Sequence, residues 1–321
     1  MPINSITQMK RTIFFIILLN IIHGSFSKNI NEIFLADPTV YFEGGKYYLT
    51  GTYSADPVKF VVYESDNLLE WEEKGLLLMK GDDTFGEKGF WAPQIFKDDN
   101  RYFLTYTANE QTCLSESGKL SGPYKQKEIG PIDSSAKNID SYLFKDDDGK
   151  YYLYHVRFNK GNYIWVAEFD IQNGKIKKET LKRCFVNTQA WENTQSYKSA
   201  PVMEGPTVIK IDKMYYLFYS ANHFMSRDYA VGYAVSESPF GPWKKYSGNP
   251  VIHRSIVGEN GSGHGDIFRN EKGEYHYVYH VHNNDSTVHP RKTRIVKLNV
   301  VKQNGFLNFS VLKGSVIKPQ K

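Results

Sequence analysis

Three carboxylates and one histidine occupy related places in a repeated sequence pattern. Asp37, Asp140 and His264 each begin a short apolar segment, and Glu204 directly precedes Gly205, which begins another. If these positions meet in the folded chain, several carboxylates share one cleft, where like charges repel and raise one another's pKa. Groups with shifted pKa values are typical of acid–base sites.

A pair of carboxylates suits one reaction in particular, the hydrolysis of a glycosidic bond. One carboxyl group must be protonated and donate to the departing oxygen, while the other must be ionised and take a proton from water. A third acid close to the donor raises the donor's pKa and orients it. Asp37, Asp140 and Glu204 provide three such groups.

The surrounding segments repeat five times along the chain. Each copy has a short apolar strand, a polar turn rich in Asp, Gly or Asn, and a strand of alternating aromatic residues such as GKYYLTGT or NRYFLTYT. This order predicts a β-hairpin. The copies begin 55, 48, 65 and 59 residues apart, at Asp37, Ala92, Asp140, Gly205 and His264.

A third strand follows each hairpin, and a more polar fourth segment follows several of them, as in SGPYKQ (121–126) and FGPWKK (240–245). Repeated four-stranded units with almost no helical periodicity predict an all-β, five-bladed β-propeller. A β-sandwich would also fit the strand content, but it does not explain the repeat. In a propeller the innermost strands line a central channel, so the five first residues converge at its mouth.

The N-terminal segment resembles a secretory signal peptide. Lys10 and Arg11 precede an apolar run over 13–22, which small and polar residues follow. The run is too short to span a bilayer comfortably. We therefore predict a signal peptide over 1–27, one catalytic propeller domain over 28–321, a secreted or periplasmic location, and no membrane association after cleavage.

Composition narrows the remaining classes. The formal net charge is only +5, and no Lys/Arg block is present, so nucleic acid is not expected as a partner. Aromatic residues make up 15% of the chain, which favours strands and carbohydrate-stacking surfaces. Cys113 and Cys184 are expected to be two buried thiols rather than a disulfide. We expect a carbohydrate substrate and a monomer.

Four motifs, in order and each at the start of a repeat, resemble those of glycoside hydrolase family 43: LADPTVYFEGGKYYLTGT (35–52), WAPQIFKDDNRYFLTYTA (91–108), IDSYLFKDDDGKYYL (139–153) and EGPTVIKIDKMYYLFYS (204–220). The resemblance implies a five-bladed propeller and an inverting hydrolase acting on α-L-arabinofuranosides, β-D-xylosides or, less often, β-galactosides. It also implies that Asp37 is the general base, Glu204 the general acid and Asp140 the residue that tunes and positions the acid.

Four further residues are candidates for substrate binding. The resemblance places an aromatic residue at Trp91, where a flat ring can pack on a sugar, and a sugar-contacting arginine at Arg291. It also places His264 on the channel axis near a water-bound cation, often calcium. Trp191 lies in the polar insertion 182–203, and a long loop leading to Glu204 could form a wall of the pocket.

A zinc site at His276, His280 and His282 is not expected, because side chains two apart on a strand are about 7 Å apart. Blade packing explains these histidines better. A lone His264 is not a calcium site, because calcium takes several oxygen ligands. No cofactor is required by the predicted reaction, and a structural calcium ion remains an open possibility.

Two other classes of protein remain alternatives. A non-catalytic sugar-binding propeller would have no need for three aligned acids. A related five-bladed enzyme, such as a β-galactosidase, fructosidase or glycoside phosphorylase, is the second alternative. A phosphorylase needs a basic cluster for phosphate, for which Arg291 and Lys292 are the candidates, and a fructosidase normally has Asn where this chain has Ala36. The sequence leaves open which sugar is cleaved and whether the action is exo or endo.

Overall fold

Each apolar–turn–aromatic segment folds as an antiparallel hairpin in the computed structural model, which describes residues 31–53, 57–81, 83–303 and 305–321. In the first hairpin Glu43 pairs with Lys46 across Gly44 and Gly45. Both glycines have positive φ, at 61° and 80°. A two-residue turn of this kind matches the twist of the flanking strands. The predicted signal peptide, 1–27, lies outside the described residues.

The described residues contain twenty strands and three short helical segments. The strands are β1 Ala36–Glu43, β2 Lys46–Thr52, β3 Lys59–Ser65, β4 Glu72–Met79, β5 Trp91–Asp98, β6 Arg101–Ala108, β7 Gln111–Ser117, β8 Asn138–Lys145, β9 Tyr151–Phe158, β10 Asn162–Asp170, β11 Lys175–Ile176, β12 Lys182–Arg183, β13 Met203–Ile211, β14 Met214–Ala221, β15 Ala230–Ser236, β16 Lys244–Lys245, β17 Gly263–Arg269, β18 Tyr275–Val281, β19 Lys292–Gln303 and β20 Phe306–Val311. The helical segments are Lys178–Thr180, Ala190–Glu192 and α1 Arg254–Val257.

The strands form five sheets in chain order, which are the blades of a five-bladed β-propeller. Blades 1, 4 and 5 each have four strands, in the orders β1–β2–β3–β4, β13–β14–β15–β16 and β17–β18–β19–β20. Blade 3 contains β8 to β12, whereas blade 2 has only β5, β6 and β7. The predicted fourth segment of blade 2, over 121–126, makes one bridge between Lys125 and Glu116. The propeller prediction is confirmed, and a β-sandwich is excluded.

The aromatic residues of the repeats pack between neighbouring blades. One buried cluster joins Tyr216 and Phe218 of blade 4 to Tyr277 and Tyr279 of blade 5. The rings of Phe218 and Tyr277 have centroids 5.7 Å apart. Since side chains alternate across a strand, Tyr216 and Phe218 pack on blade 5 while Leu217 and Tyr219 of the same strand pack on blade 3. The core is therefore a series of inter-blade layers around the axis.

The two ends of the described chain close the ring between blades 5 and 1. The N–H of Ile33 donates to the carbonyl of Pro319 at 3.1 Å, and Lys321 donates to Asn31 at 2.9 Å. Ile317 also forms a bridge with Ile295 in β19. Residues from both ends thus bind the last blade to the first. Within the described residues, no helix has the length and apolar character needed to cross a bilayer.

Neither described cysteine is in a disulfide. Cys113 is buried between blades, where burial raises the pKa of its thiol to about 12. Cys184 is partly exposed as a residue, but its side chain packs on the buried cluster of blades 3 and 4, and burial raises the pKa of its thiol.

Candidate active site

A repeated backbone feature brings the five first residues of the inner strands into the channel mouth. We call them the mouth residues: Asp37, Ala92, Asp140, Gly205 and His264. All five have a left-handed backbone, with φ between 43° and 57°. The strand register shifts at each of them, as between Ala36 and Thr39 in β1. A β-bulge with a left-handed residue redirects a side chain, and here it directs the mouth residues together.

The mouth residues are also attached to the neighbouring blades. Four of their N–H groups donate to a side chain at the end of the second strand of the preceding blade. The pairs are Ala92 with Thr52 (2.9 Å), Asp140 with Thr107 (3.0 Å), His264 with Ser220 (2.7 Å) and Asp37 with Nδ1 of His280 (3.1 Å). Gly205 differs, because its N–H donates to the carboxylate of Asp140.

Asp37 lies in a buried pocket of donors. Thr52 Oγ1 donates to its Oδ2 at 2.7 Å, and Arg291 Nη1 donates to its Oδ1 at 3.0 Å. Nδ1 of His264 and Nδ1 of His280 each lie 3.3 Å from Oδ1. Burial alone would raise the pKa of Asp37, but the charge of Arg291, together with His264 and His280, holds that pKa well below its ordinary value. Asp37 is therefore ionised at neutral pH.

His280 lies against both Asp37 and Arg291. Its Nδ1 accepts the backbone N–H of Asp37 at 3.1 Å, and its Nε2 is 3.2 Å from Nη1 of Arg291. His280, which the sequence assigns to blade packing, is in fact a partner of Asp37. His276 and His282 do not contact Asp37. His276 stacks on Phe268, and Nε2 of His282 bonds the carbonyl of Phe224.

Glu204 has a different environment. The hydroxyl of Tyr229 donates to its Oε1 at 2.8 Å, and the side chain of Asn162 provides a second hydrogen bond. Burial raises the pKa of Glu204 to about 7, and the negative charge of Asp37 adds to that rise, whereas Tyr229, Arg291 and Asn162 oppose it. A carboxyl group with this pKa is still largely protonated in mildly acidic solution.

Asp140 is coupled to Glu204. Burial and the charges of Glu204 and Asp37 raise the pKa of Asp140 well above its ordinary value, although the N–H of Gly205 and the charge of Arg291 oppose that shift. The sequence predicts an ionised Asp140 acting on Glu204. In the structure each of these two carboxyls is buried with a raised pKa, so they lose their protons as a coupled pair.

His264 lies between the two aspartates, with Nδ1 3.3 Å from Asp37 and 3.9 Å from Oδ2 of Asp140. Burial lowers the pKa of its ring. Gly205 packs against this ring so closely that a Cβ there would lie 2.7 Å from Cδ2 of His264, and its φ of 57° also favours glycine. This contact explains why the fourth mouth residue is a glycine.

A cavity of about 30 Å³ lies directly beneath the mouth and is lined by Asp37, Asp140 and His264. It has room for one or two water molecules. Among the described residues, no group of three or more His, Cys, Asp or Glu side chains is placed to hold a metal ion. The residues at the mouth therefore do not fit direct calcium coordination, and no chemical step is assigned to a metal.

The two tryptophans lie in different surroundings. Trp91 is 38% exposed and occupies the same strand position as Glu204, since it pairs with Thr107 as Glu204 pairs with Ser220. Trp191 does not line the cavity at the mouth. Its ring lies 5.6 Å from that of Tyr219, and its Nε1 donates to Gln189. Trp191 thus anchors the insertion 182–203 on blade 4.

The sequence did not indicate a row of rings that runs outward from the site. The guanidinium of Arg291 lies 4.7 Å from the ring centre of Phe224, which stacks on His223 at 4.7 Å. His223 in turn stacks on Tyr197 at 4.6 Å, and Tyr197 is 42% exposed. The adjacent His223 and Phe224 after β14 were the available sequence signal. Arg291, predicted to contact the sugar, binds Asp37.

The propeller mouth holds three buried carboxyls, with the pKa of Asp37 lowered and those of Asp140 and Glu204 raised. This arrangement suits an enzyme that cleaves glycosidic bonds. Residues 26–306 match the sequence profile of Glycosyl hydrolases family 43. The chain belongs to this family and is therefore a glycosidase that hydrolyses O-glycosyl bonds.

Solved structures agree with this membership. The chain is similar to an endo-1,4-beta-xylanase from Bacteroides thetaiotaomicron, with 38% identity, a TM-score of 0.83, and coverage of 91% of this chain and 98% of that one. It is also similar to a thermostable family-43 glycoside hydrolase, with 34% identity, a TM-score of 0.78, and coverage of 92% and 97%.

Two further relatives are less similar in sequence. A beta-D-galactofuranosidase from Aspergillus niger is 25% identical over 76% of this chain and 73% of its own length. A xylan 1,3-beta-xylosidase from Vibrio sp. is 26% identical over 77% of this chain, which spans about half (48%) of that protein.

Proposed function

We propose that this glycosidase cleaves β-D-xylosidic or α-L-arabinofuranosidic bonds of plant-type polysaccharides or oligosaccharides by a single displacement with inversion. Asp37 is the general base, Glu204 the general acid, and Asp140 tunes and positions the acid. Trp91 and His264 contact the sugar. The observation that carries the proposal is the opposed pKa shift of two buried carboxyls in one mouth: Asp37 is held ionised, while the pKa of Glu204 is raised to about 7.

These protonation states match the two halves of the reaction. Asp37 takes a proton from a water molecule as the water oxygen forms a bond to the anomeric carbon. The bond from that carbon to the glycosidic oxygen breaks, and Glu204 gives its proton to the departing oxygen. The products are a sugar of inverted configuration and an alcohol. Asp37 then releases its proton to solvent and Glu204 takes one up, which restores both groups.

The residues around each carboxyl support these roles. Arg291 and Thr52 donate to the carboxylate of Asp37, so they stabilise the ionised form that a base needs before the reaction. Tyr229 orients Glu204 by donating to Oε1. Two donors on the carboxyl of Asp37 and the burial of Glu204 shift the two pKa values in opposite directions, and this difference would separate the base from the acid.

The choice of sugar follows the relatives. The similar proteins carry names of xylanases, xylosidases and xylosidase/arabinosidases, and one is named a beta-D-galactofuranosidase. Trp91, exposed next to the second mouth residue, offers a flat face for a pentose or furanose ring. A panel of substrates must therefore include β-galactofuranoside beside xyloside and arabinofuranoside.

A panel of nitrophenyl glycosides, assayed with the wild type and with Asp37→Asn and Glu204→Gln, tests the proposal. The expected result is turnover of the β-D-xyloside or the α-L-arabinofuranoside and loss of nearly all of it in Asp37→Asn. Activity confined to another sugar would correct the substrate. Full activity of Asp37→Asn would remove Asp37 from the role of base.

We also propose that the enzyme is exported, on the basis of the signal-type segment at 1–27. Fractionation of expressing cells, with N-terminal sequencing of the extracellular or periplasmic protein, tests this. A protein that remains inside the cell with residues 1–27 attached would contradict it.

A further inference from the structure

A layer of polar side chains lies directly below the mouth residues, two positions further along each inner strand. Its members are Thr39, Gln94, Tyr142, Thr207 and Asp266. Asp266 is the one carboxylate among them. It is 8% exposed and separates the small cavity under the mouth from a cavity of about 610 Å³ in the lower channel. The proposed mechanism does not use it.

Asp266 connects the strands that carry the proposed base and acid. Its Oδ2 accepts from Thr39 Oγ1 of β1 at 2.6 Å, and its Oδ1 accepts from Thr207 Oγ1 of β13 at 2.5 Å. Asp266 lies on β17, the inner strand of blade 5, which stands between blades 4 and 1 in the ring. One buried side chain therefore spans three blades.

The two threonines lie directly after the irregular segments of β1 and β13. The ladder of β1 is interrupted between Ala36 and Thr39, and that of β13 between Glu204 and Thr207. Asp37 lies in the first bulge, where the ladder does not fix the backbone, and Glu204, which pairs with Ser220, is the last residue before the second bulge. Thr39 and Thr207 are the first residues back in register, opposite Thr50 and Phe218. Asp266 thus binds each strand at the first residue that returns to the regular ladder, Thr39 in β1 and Thr207 in β13.

We propose that Asp266 is a positioning residue that sets the separation between Asp37 and Glu204. The inference rests on the base and acid roles proposed above. An inverting pair needs about 6.5–9.5 Å between its carboxyls to leave room for water, and a misplacement of about 1 Å can cost roughly a hundredfold in rate. A bridge between the two strands limits such movement.

A neutral side chain performs a similar connection on the other side of the ring. Oε1 of Gln94 accepts from the N–H of Leu143 at 2.8 Å, and its Nε2 donates to the carbonyl of Leu143 at 3.1 Å, which ties blade 2 to blade 3. Packing alone therefore does not demand a buried charge. A carboxylate accepts from two hydroxyls at once, which is what the link between Thr39 and Thr207 uses.

Three near-isosteric variants test the proposal: Thr39→Val, Thr207→Val and Thr50→Val. Each is assayed on an unactivated oligosaccharide and on a nitrophenyl glycoside. Thr207→Val should impair proton donation, so its loss should be about tenfold greater on the oligosaccharide. Thr39→Val should lose about tenfold on both, because water activation serves both substrates. Thr50 has a buried hydroxyl without a hydrogen-bond partner in the described residues, so Thr50→Val should keep its activity on both substrates.

Asp266→Asn and Asp266→Ala extend the test. Asn retains one acceptor, so its activity should lie between those of the wild type and Asp266→Ala. The melting temperatures of all variants are compared with their rates. Losses that are equal on both substrates for Thr207→Val, or that follow only the fall in melting temperature, would overturn the positioning role. Glu204→Gln in the same assay reports on the acid itself, so failure of the proposed function is recognised separately.

Discussion

Nη1 of Arg291 lies 3.0 Å from Oδ1 of Asp37, in a pocket that both side chains share with His280. The guanidinium also packs on Phe224, which holds its plane in place. A positive charge fixed beside a buried carboxylate stabilises its ionised form. Arg291 thus acts on the proposed base, Asp37, by stabilising its ionised form.

Removing that charge should change the acidic limb of the pH–rate profile. In Arg291→Met the pKa of Asp37 should rise, so the acidic limb of kcat/KM should move up by about one unit or more. Arg291→Lys, which keeps a charge but loses the planar fork, should move it less. A raised KM with an unmoved limb in both variants would instead make Arg291 a sugar ligand.

Replacing the proposed acid should have an effect that depends on the leaving group. Glu204→Gln should lower kcat on natural linkages by roughly 10²–10⁴-fold, because general acid catalysis contributes about that much. On an activated nitrophenyl glycoside the loss should be much smaller, and the alkaline limb near pH 7 should disappear. Equal losses on both substrates would assign Glu204 another role.

The coupled pair makes a separate prediction for Asp140. Asp140→Asn removes one of two carboxyls that repel each other when ionised, so the pKa of Glu204 should fall and the alkaline limb should move to lower pH. Glu116→Gln changes a half-buried carboxyl that is paired with Arg101 away from the mouth, and it serves as the control. A lower rate with an unchanged limb would leave Asp140 a role in positioning only.

Stability should depend on pH through the same carboxyl. The pKa of Glu204 is about 7 in the folded chain and about 4.3 in an unfolded one, so the folded state binds the proton more tightly. Its contribution is complete below about pH 4 and is lost as pH rises through 7. Glu204→Gln should therefore flatten the decline of the free energy of unfolding between pH 5 and about 7. Urea titrations at several pH values measure this slope, and an unchanged slope would contradict the raised pKa.

The stereochemical outcome tests the assignment of Asp37 as a base. If Asp37 activates water, the first sugar formed has the configuration opposite to that of the substrate. Proton NMR of a fresh digest detects that anomer before mutarotation. A product of retained configuration would require Asp37 to attack the anomeric carbon directly.

The mouth residues could be aligned from sequence because a five-fold repeat fixes equivalent strand positions, and the structure gives the same left-handed bulge at all five. Their partners could not be found that way. His280 lies on a second strand, Asn162 begins a third strand and Tyr229 directly precedes one. Which of these side chains meets the mouth depends on how the blades pack against one another. Aromatic residues are so frequent in these strands that Tyr229 carries no distinct signal. Trp191 was a candidate only by its nearness to Glu204 along the chain.

The residue at position 156 breaks the symmetry of the ring. Thr52, Thr107, Ser220 and His280 occupy the corresponding place in the other blades, and each accepts the N–H of the next mouth residue. Val156 pairs with Ile139 at that place and has no acceptor to offer. The N–H of Gly205 is therefore free for Asp140. The loss of one side-chain acceptor from a five-fold pattern thus leaves a backbone N–H that binds a carboxylate. This single change makes the channel mouth asymmetric although the fold is repeated.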